Sequence, residues 1–143
     1  TSIGGYAFLP CKSLTRAVNF ENTQLTSISS ELFKGCSALA EITLPAGVTS
    51  IGQAAFNGCS SLTEITLPAG VTSIGAYAFN VCSSLQYIRI EATTPPTLSS
   101  TNAIPSGIGA IYVPDESVAA YQASTNWSSF ASKIKGISEM PAE

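Results

Sequence analysis

The chain has no histidine. That absence removes Ser-His-Asp and Cys-His nucleophilic machinery, and with it any Cys/His zinc site. Charge is scarce as well. Asp, Glu, Lys and Arg together make up 10% of the 143 residues, against the usual quarter or so. Six basic residues face nine acidic ones, for a net charge of -3. Such a surface does not track phosphates, so nucleic acid is not expected as a partner. No apolar run reaches the ~18 residues a membrane-spanning helix needs, so no membrane insertion by this segment is expected. The C-x-x-C spacing does not occur. Gly107-Ile108-Gly109 lacks the third glycine and the strand–turn–helix setting of a dinucleotide loop. Ser132-Lys133-Ile134-Lys135 has an S-x-x-K spacing without its companion motifs and reads as a helix end. Nothing here implies a cofactor, a metal or a catalytic residue.

What the chain does have is repetition. The stretch from Ile42 to Gly52 recurs almost letter for letter from Ile65 to Gly75, a shift of 23 residues. A fixed period of that length means stacked supersecondary units. A Thr-Ser-Ile triplet anchors each unit at residues 1–3, 26–28, 49–51 and 72–74. A Phe follows each Ile (Phe8, Phe33, Phe56, Phe79), then a Cys (Cys11, Cys36, Cys59, Cys82), then a Leu (Leu14, Leu39, Leu62, Leu85). The first interval is 25 residues, and its two extra residues fall around Arg16–Gln24, in turns.

After each Leu comes a short alternating segment: Val18-Asn19-Phe20, Ile42-Thr43-Leu44, Ile65-Thr66-Leu67 and Ile88-Arg89-Ile90. Period two with β-branched residues indicates a strand with one face inward. Successive strands run in the same direction one unit later, so they should pair in parallel, ~4.8 Å apart. Pro45 and Pro68 stop their strands. Gly47-Val48 and Gly70-Val71 mark tight turns. Segments 53–56 and 76–79 are expected to form a turn of helix or of 3₁₀ helix. One unit offers about six large apolar side chains, each contributing about 1.5–3 kcal/mol when buried. Ordering its 23 residues costs about 1–2 kcal/mol each. A lone unit therefore cannot fold, and stacking is obligatory.

The run Ile-x-Leu-Pro-x-x-Val-x-x-Ile-Gly-x-x-Ala-Phe-x-x-Cys-x-Ser-Leu resembles the BspA-like class of leucine-rich repeats. Units 42–64 and 65–87 match throughout, and the segments from Thr26 and from Thr1 match from those points on. The ending Ile111–Tyr121, followed by Trp127, also resembles that of such proteins. The resemblance implies an α/β repeat solenoid: a short leucine-rich-repeat right-handed coil with a parallel β-sheet on one face and a small helical C-terminal cap. It also implies a secreted or cell-surface module of bacteria, linked to adhesion to host proteins. It carries across no catalytic residue.

The expected division is a solenoid over 1–90, about three and a half coils and N-terminally truncated. Residues 91–137 form a cap and 138–143 a flexible tail. Thr1-Ser2-Ile3-Gly4 matches the middle of a unit, so the chain is expected to be a fragment with its export segment upstream. After Ile90, Thr93-Thr94-Pro95-Pro96 breaks the pattern. Residues 97–110 read as a loop, and Ile111-Tyr112-Val113 as a last strand. Pro114, Asp115 and Glu116 open a helix, since acidic residues suit its first turn. Trp127, Phe130 and Ile134 make a second short helix. Such a terminal unit covers the open end of the core.

The cysteines share one repeat position, so they are expected to be free, buried apolar fillers. The Ser rows (Ser27, Ser50, Ser73 and Ser37, Ser60, Ser83) should satisfy turn backbone. The outward strand positions form columns: Ala17, Glu41, Glu64, Tyr87, and next to it Asn19, Thr43, Thr66, Arg89. The candidate partner-binding face is Glu41, Thr43, Glu64, Thr66, Tyr87, Arg89 and Glu91. Tyr and Arg are frequent interface anchors. Glu41 and Glu64, one strand spacing apart, resemble the ~5–5.5 Å pair of a retaining glycosidase. A flat parallel sheet, however, gives no cleft for a sugar, so a solvated acidic stripe is the simpler reading. Function then reads as protein interaction or adhesion, with a protein of a host or neighbouring-cell surface as partner, or a glycan. A structural spacer without a ligand and a carbohydrate-binding accessory module are the alternatives. Asn126-Trp127-Ser128 is a glycosylation sequon, meaningful only in a eukaryotic secretory host.

Overall fold

The computed structural model describes residues 12, 13, 15–17 and 25–141, and residues 16 and 17 only in their backbone. The first-unit members of the rows (Thr1–Gly4, Phe8, Cys11, Leu14 and Val18–Phe20) lie outside the described residues, as do 142 and 143.

Each coil carries two short strands joined by turns. On one side are β1 (Arg16–Ala17), β3 (Glu41–Ile42), β5 (Glu64–Leu67) and β7 (Tyr87–Ile90). On the other are β2 (Ser27–Ile28), β4 (Ser50–Ile51), β6 (Ser73–Ile74) and β8 (Thr97–Leu98). The second set pairs in parallel in the order β2-β4-β6-β8, and its register sets Ile28, Ile51, Ile74 and Leu98 side by side. These four are buried while Ser27, Ser50 and Ser73 stay half-exposed. The Thr-Ser-Ile triplet is therefore a strand of its own. Its β-branched Ile fills the core, and Gly47-Val48 and Gly70-Val71 turn the chain into it. After Ile51 and Ile74 the coils approach so closely that only glycine fits: a Cβ on Gly75 would lie 2.5 Å from Gln53 N.

The segments expected to be helical are instead strings of turns. Ala55, Asn57 and Cys59 N–H donate three residues back, to Gly52, Ala54 and Phe56 carbonyls. The alternate donors Ala54, Phe56 and Gly58 N–H reach the next coil, at Ala76, Ala78 and Asn80. A helix would consume all of these donors internally. Left-handed residues at Ala54 (φ 55) and Gly58 (φ 83) turn every second N–H outward. In the following coil Val81 takes the position of Gly35 and Gly58, at φ 59, a conformation costly for a β-branched side chain.

Between the two strand sets runs the core. Phe33 stacks on Phe56 at 5.4 Å and 8°, and Phe56 on Phe79 at 5.3 Å and 2°. Rings a coil apart can hardly do otherwise, since identical side chains sit one strand spacing apart. Cys36, Cys59 and Cys82 are free and buried. The Cys59 and Cys82 thiols donate to the carbonyls of Phe33 (3.3 Å) and Phe56 (3.1 Å). Burial pushes the Cys82 thiol up to about 12, and raises that of Cys59 further, helped by the neighbouring cysteines. Such thiols are inert.

The C-terminal end departs from expectation in three places. Residues 97–110 are not a plain loop: β8 extends the second sheet, and a 3₁₀ turn spans Thr101–Ala103. Phe79 N–H donates to Ala103 O, just as Phe56 does to Ala78, so the inter-coil bonding outlives the sequence pattern. β9 (Ala110–Val113) pairs with β7. A 3₁₀ turn over Asp115–Ser117 leads into α1 (Val118–Ala123). The second helix is 3₁₀ and ends at Lys133. Ile134 lies in β10 (Ile134–Gly136), parallel to β9, because its buried side chain aligns with Ile111. Finally, Ser138 and Glu139 do not trail loosely. Ser138 N–H donates to Asp115 Oδ1 and Gly136 N–H to Glu139 Oε2, closing a 3₁₀ turn over Ile137–Glu139.

The cap closes the last coil through its carbonyls. Ser117 Oγ donates to Thr93 O, Tyr121 Oη to Ala92 O, Trp127 Nε1 to Pro96 O and Asn126 Nδ2 to Leu98 O, all at 2.7–2.8 Å. Tyr121 and Trp127 pack edge to face at 5.4 Å and are fully buried. Burial raises the Tyr121 phenol. Asn126, the sequon residue, thus spends its side-chain amide on the core.

Candidate binding face

The strand face is not one continuous sheet. β1 pairs with β3, and a separate sheet runs β10-β9-β7-β5. No ladder joins β3 to β5. The strand-side bonds Ala40 N–H to Thr15 O and Gln86 N–H to Thr63 O have no counterpart between 40 and 63. The sequence accounts for one of the missing bonds, though not for the parting, since Pro45 holds the same position where β3 still pairs with β1. Glu91 N–H donates to Leu67 O, but Pro68 stands one unit earlier and has no N–H to give Leu44. The other side stays joined: Thr72 N–H donates to Thr49 O and Gly75 N–H to Ile51 O. The stack is therefore parted on the strand face alone.

A crevice of about 530 Å³ occupies the gap, lined by Glu41, Thr43, Glu64, Thr66 and Glu91 among others. Five of the seven expected face residues meet there. The expectation that a flat sheet offers no cleft is corrected by the missing ladder. Among the described side chains no basic one lines this crevice. All three carboxylates are exposed, which provides none of the desolvation a glycosidase acid requires.

The other two residues lie beyond. Tyr87 Oη donates to Glu64 Oε2 at 2.5 Å, and its ring meets Tyr112 edge-on at 5.5 Å. Tyr87 lines a second cavity of about 390 Å³, with Gln86, Tyr112, Lys135 and Met140. Arg89 is half-buried beside Thr66, its Nη1 3.9 Å from Met140 Sδ.

Tyr112, Lys135 and Met140 were absent from the sequence-based set. Tyr112 was within reach, as the outward residue of an alternating segment. Lys135 was hidden by the helical reading of its strand. Met140 meets Arg89 across 51 residues, which no local pattern reveals.

The profile of the BspA type leucine rich repeat region matches residues 1–102, in six copies. The chain belongs to the BspA-type leucine-rich-repeat family. Among solved structures it is similar to a leucine-rich repeat protein from Bacteroides ovatus, at 31% identity and a TM-score of 0.58. That likeness covers 80% of this chain and 35% of the other, so this chain spans about a third of its relative's length. No curated protein matches. Membership fits the short repeat solenoid with parallel strands and a small helical cap. Among the described residues no helix is long and apolar enough to cross a membrane.

Proposed function

We propose that this chain is a protein-interaction and adhesion module of a secreted or surface-displayed bacterial protein, binding through its strand face. Residues 1–90 act as the presenting solenoid and 91–137 as the cap that seals it. The observation that carries the reading is the strand face itself. One side of the stack is parted, its crevice is edged by Glu41, Thr43, Glu64, Thr66 and Glu91, and Tyr87 and Arg89 stand beside it. Family membership supports a repeat interaction module. Tyr and Arg at the centre of a partly shielded patch are the usual anchors of protein interfaces. Solvated carboxylates, and a chain without histidine, favour binding over catalysis.

The test presents the chain to arrays of extracellular host proteins and of glycans, and follows each hit by titration. Saturable binding to a protein, weakened at least about tenfold by Tyr87→Ser with the fold retained, is the expected result. Saturable binding to a glycan alone would replace protein by carbohydrate as the partner class. No saturable ligand on either array would leave a spacer and end the reading.

A further inference from the structure

Among the described residues one buried side-chain nitrogen has no partner: Arg89 Nε is sealed from solvent and donates to nothing. Orphaned buried donors are uncommon, because each keeps its desolvation cost without a compensating bond. The rest of the guanidinium is poorly served too. Nη1 faces Met140 Sδ at 3.9 Å, and a thioether is a weak acceptor. No carboxylate among the described residues forms an ion pair with it. Glu64 is engaged by Tyr87, Glu139 accepts from Gly136, and the ion pair among the described residues is Lys34–Glu31.

Arg89 also has a cationic neighbour in register. Strand pairing sets Thr66, Arg89, Tyr112 and Lys135 in one row across four strands. Arg89 and Lys135 therefore stand two strand spacings apart, ~10 Å, on either side of Tyr112. Lys135 is exposed. These two cations, which no described carboxylate pairs with, stand on either side of the buried Tyr112 ring, with Glu64 the one carboxylate lining the cavity beside Lys135, and complement acidic side chains along an extended segment. The planar guanidinium fork matches a carboxylate in both geometry and charge.

We propose that this row receives an acidic segment of a partner protein, whose carboxylates pair with Arg89 and Lys135 and displace Met140 from the guanidinium. The proposal rests on the strand face being the binding face and adds the chemistry of the partner. Exchange of a thioether for a carboxylate gives Arg89 the acceptor that the described residues do not supply. The exposed carboxylates Glu64 and Glu91 next to the row repel the same segment and fix which way it lies.

The probe is a ten-residue peptide of alternating Glu and Ser, with an alternating Lys and Ser peptide beside it, each labelled and titrated by fluorescence anisotropy. The Glu/Ser peptide is expected to bind saturably and to weaken with salt. Arg89→Gln should cost about tenfold or more in affinity, and Arg89→Lys, which keeps the charge but not the fork, less. Met140→Ala should tighten binding several-fold by uncovering the guanidinium. Thermal melts of each variant separate lost binding from lost fold. Met140→Ala reads the exchange without touching a charge, so unchanged or weaker binding there counts against it. Preference for the Lys/Ser peptide, lost in Glu64→Gln, overturns the carboxylate proposal and leaves the strand face standing as the binding face. Binding that no face substitution alters overturns both, and no binding of either peptide overturns the carboxylate proposal.

Discussion

Replacing Phe56 by Ala removes the middle ring of the stack. The side chain is fully buried, so the change deletes its whole transfer energy and leaves a cavity, typically about 3–5 kcal/mol. Two stacked contacts disappear with it, at 5.4 Å and 5.3 Å. Each such pair adds about 0.5–1.5 kcal/mol beyond area burial, which places Phe56→Ala toward the upper end of that range. Phe79→Ala breaks only one Phe–Phe pair among the described residues and should cost about 1 kcal/mol less. At this chain length 1 kcal/mol corresponds to roughly 2–4 °C, so Phe56→Ala should lower the melting temperature by about 10–20 °C. Urea denaturation followed by far-ultraviolet circular dichroism reads both variants, with an unchanged m value as the sign that the same surface is exposed. A loss under about 1 kcal/mol for Phe56→Ala would refute the stacked interior, because no fully buried ring in a close-packed core is removed so cheaply.

Three further outcomes follow from the same geometry. Cys36, Cys59 and Cys82 should resist a thiol reagent in the folded chain at about pH 8 and react in denaturant, where all four cysteines of the sequence should titrate; rapid labelling of the folded protein would contradict their burial. Stability should fall in alkali. An unfolded Cys82 loses its proton near 9.0 while the folded thiol holds it to about 12, so between those values only the unfolded chain ionises and unfolding gains. Cys59 and Tyr121 shift in the same direction, so urea midpoints should drop steadily above about pH 9, and less steeply in Cys82→Ala; a flat profile would count against the buried ladder. Trp127→Phe leaves Pro96 O without its donor and should cost about 1–3 kcal/mol by urea titration, whereas a neutral result would show that the cap does not depend on that bond.

Much of this architecture was legible in the letters. The Phe, Cys and Leu rows announced a stacked interior, since a side chain repeated at one period must meet its copies. The alternation at 64–67 and 87–90 announced strands, and Tyr121 and Trp127 announced a cap. The second sheet was not legible: its strands are two residues long, too short to show a period. The turn strings hid because their left-handed residues include Ala54 and Tyr77, side chains that do not advertise that conformation. β10 hid behind a lysine pattern that also suits a helix end. The parted strand face left one trace, Pro68 where Glu91 later supplies an N–H, but a proline after a strand ordinarily means only that the strand stops. The contact of Arg89 with Met140 joins the last coil to the end of the chain, and sequence spacing carries no information about it.

Hydrogen exchange, with and without a bound ligand from the arrays or the peptide titration, is the most direct measurement of where this module binds. Slowed exchange on ligand addition is predicted over residues 64–67, 87–91 and 110–113, the strands that carry Tyr87, Arg89 and Tyr112. The turn face, where Tyr77 and Val81 expose apolar surface, should exchange as before. Protection confined to residues 76–82, with the strands unchanged, would place the binding surface on the opposite side of the stack and contradict the proposed function.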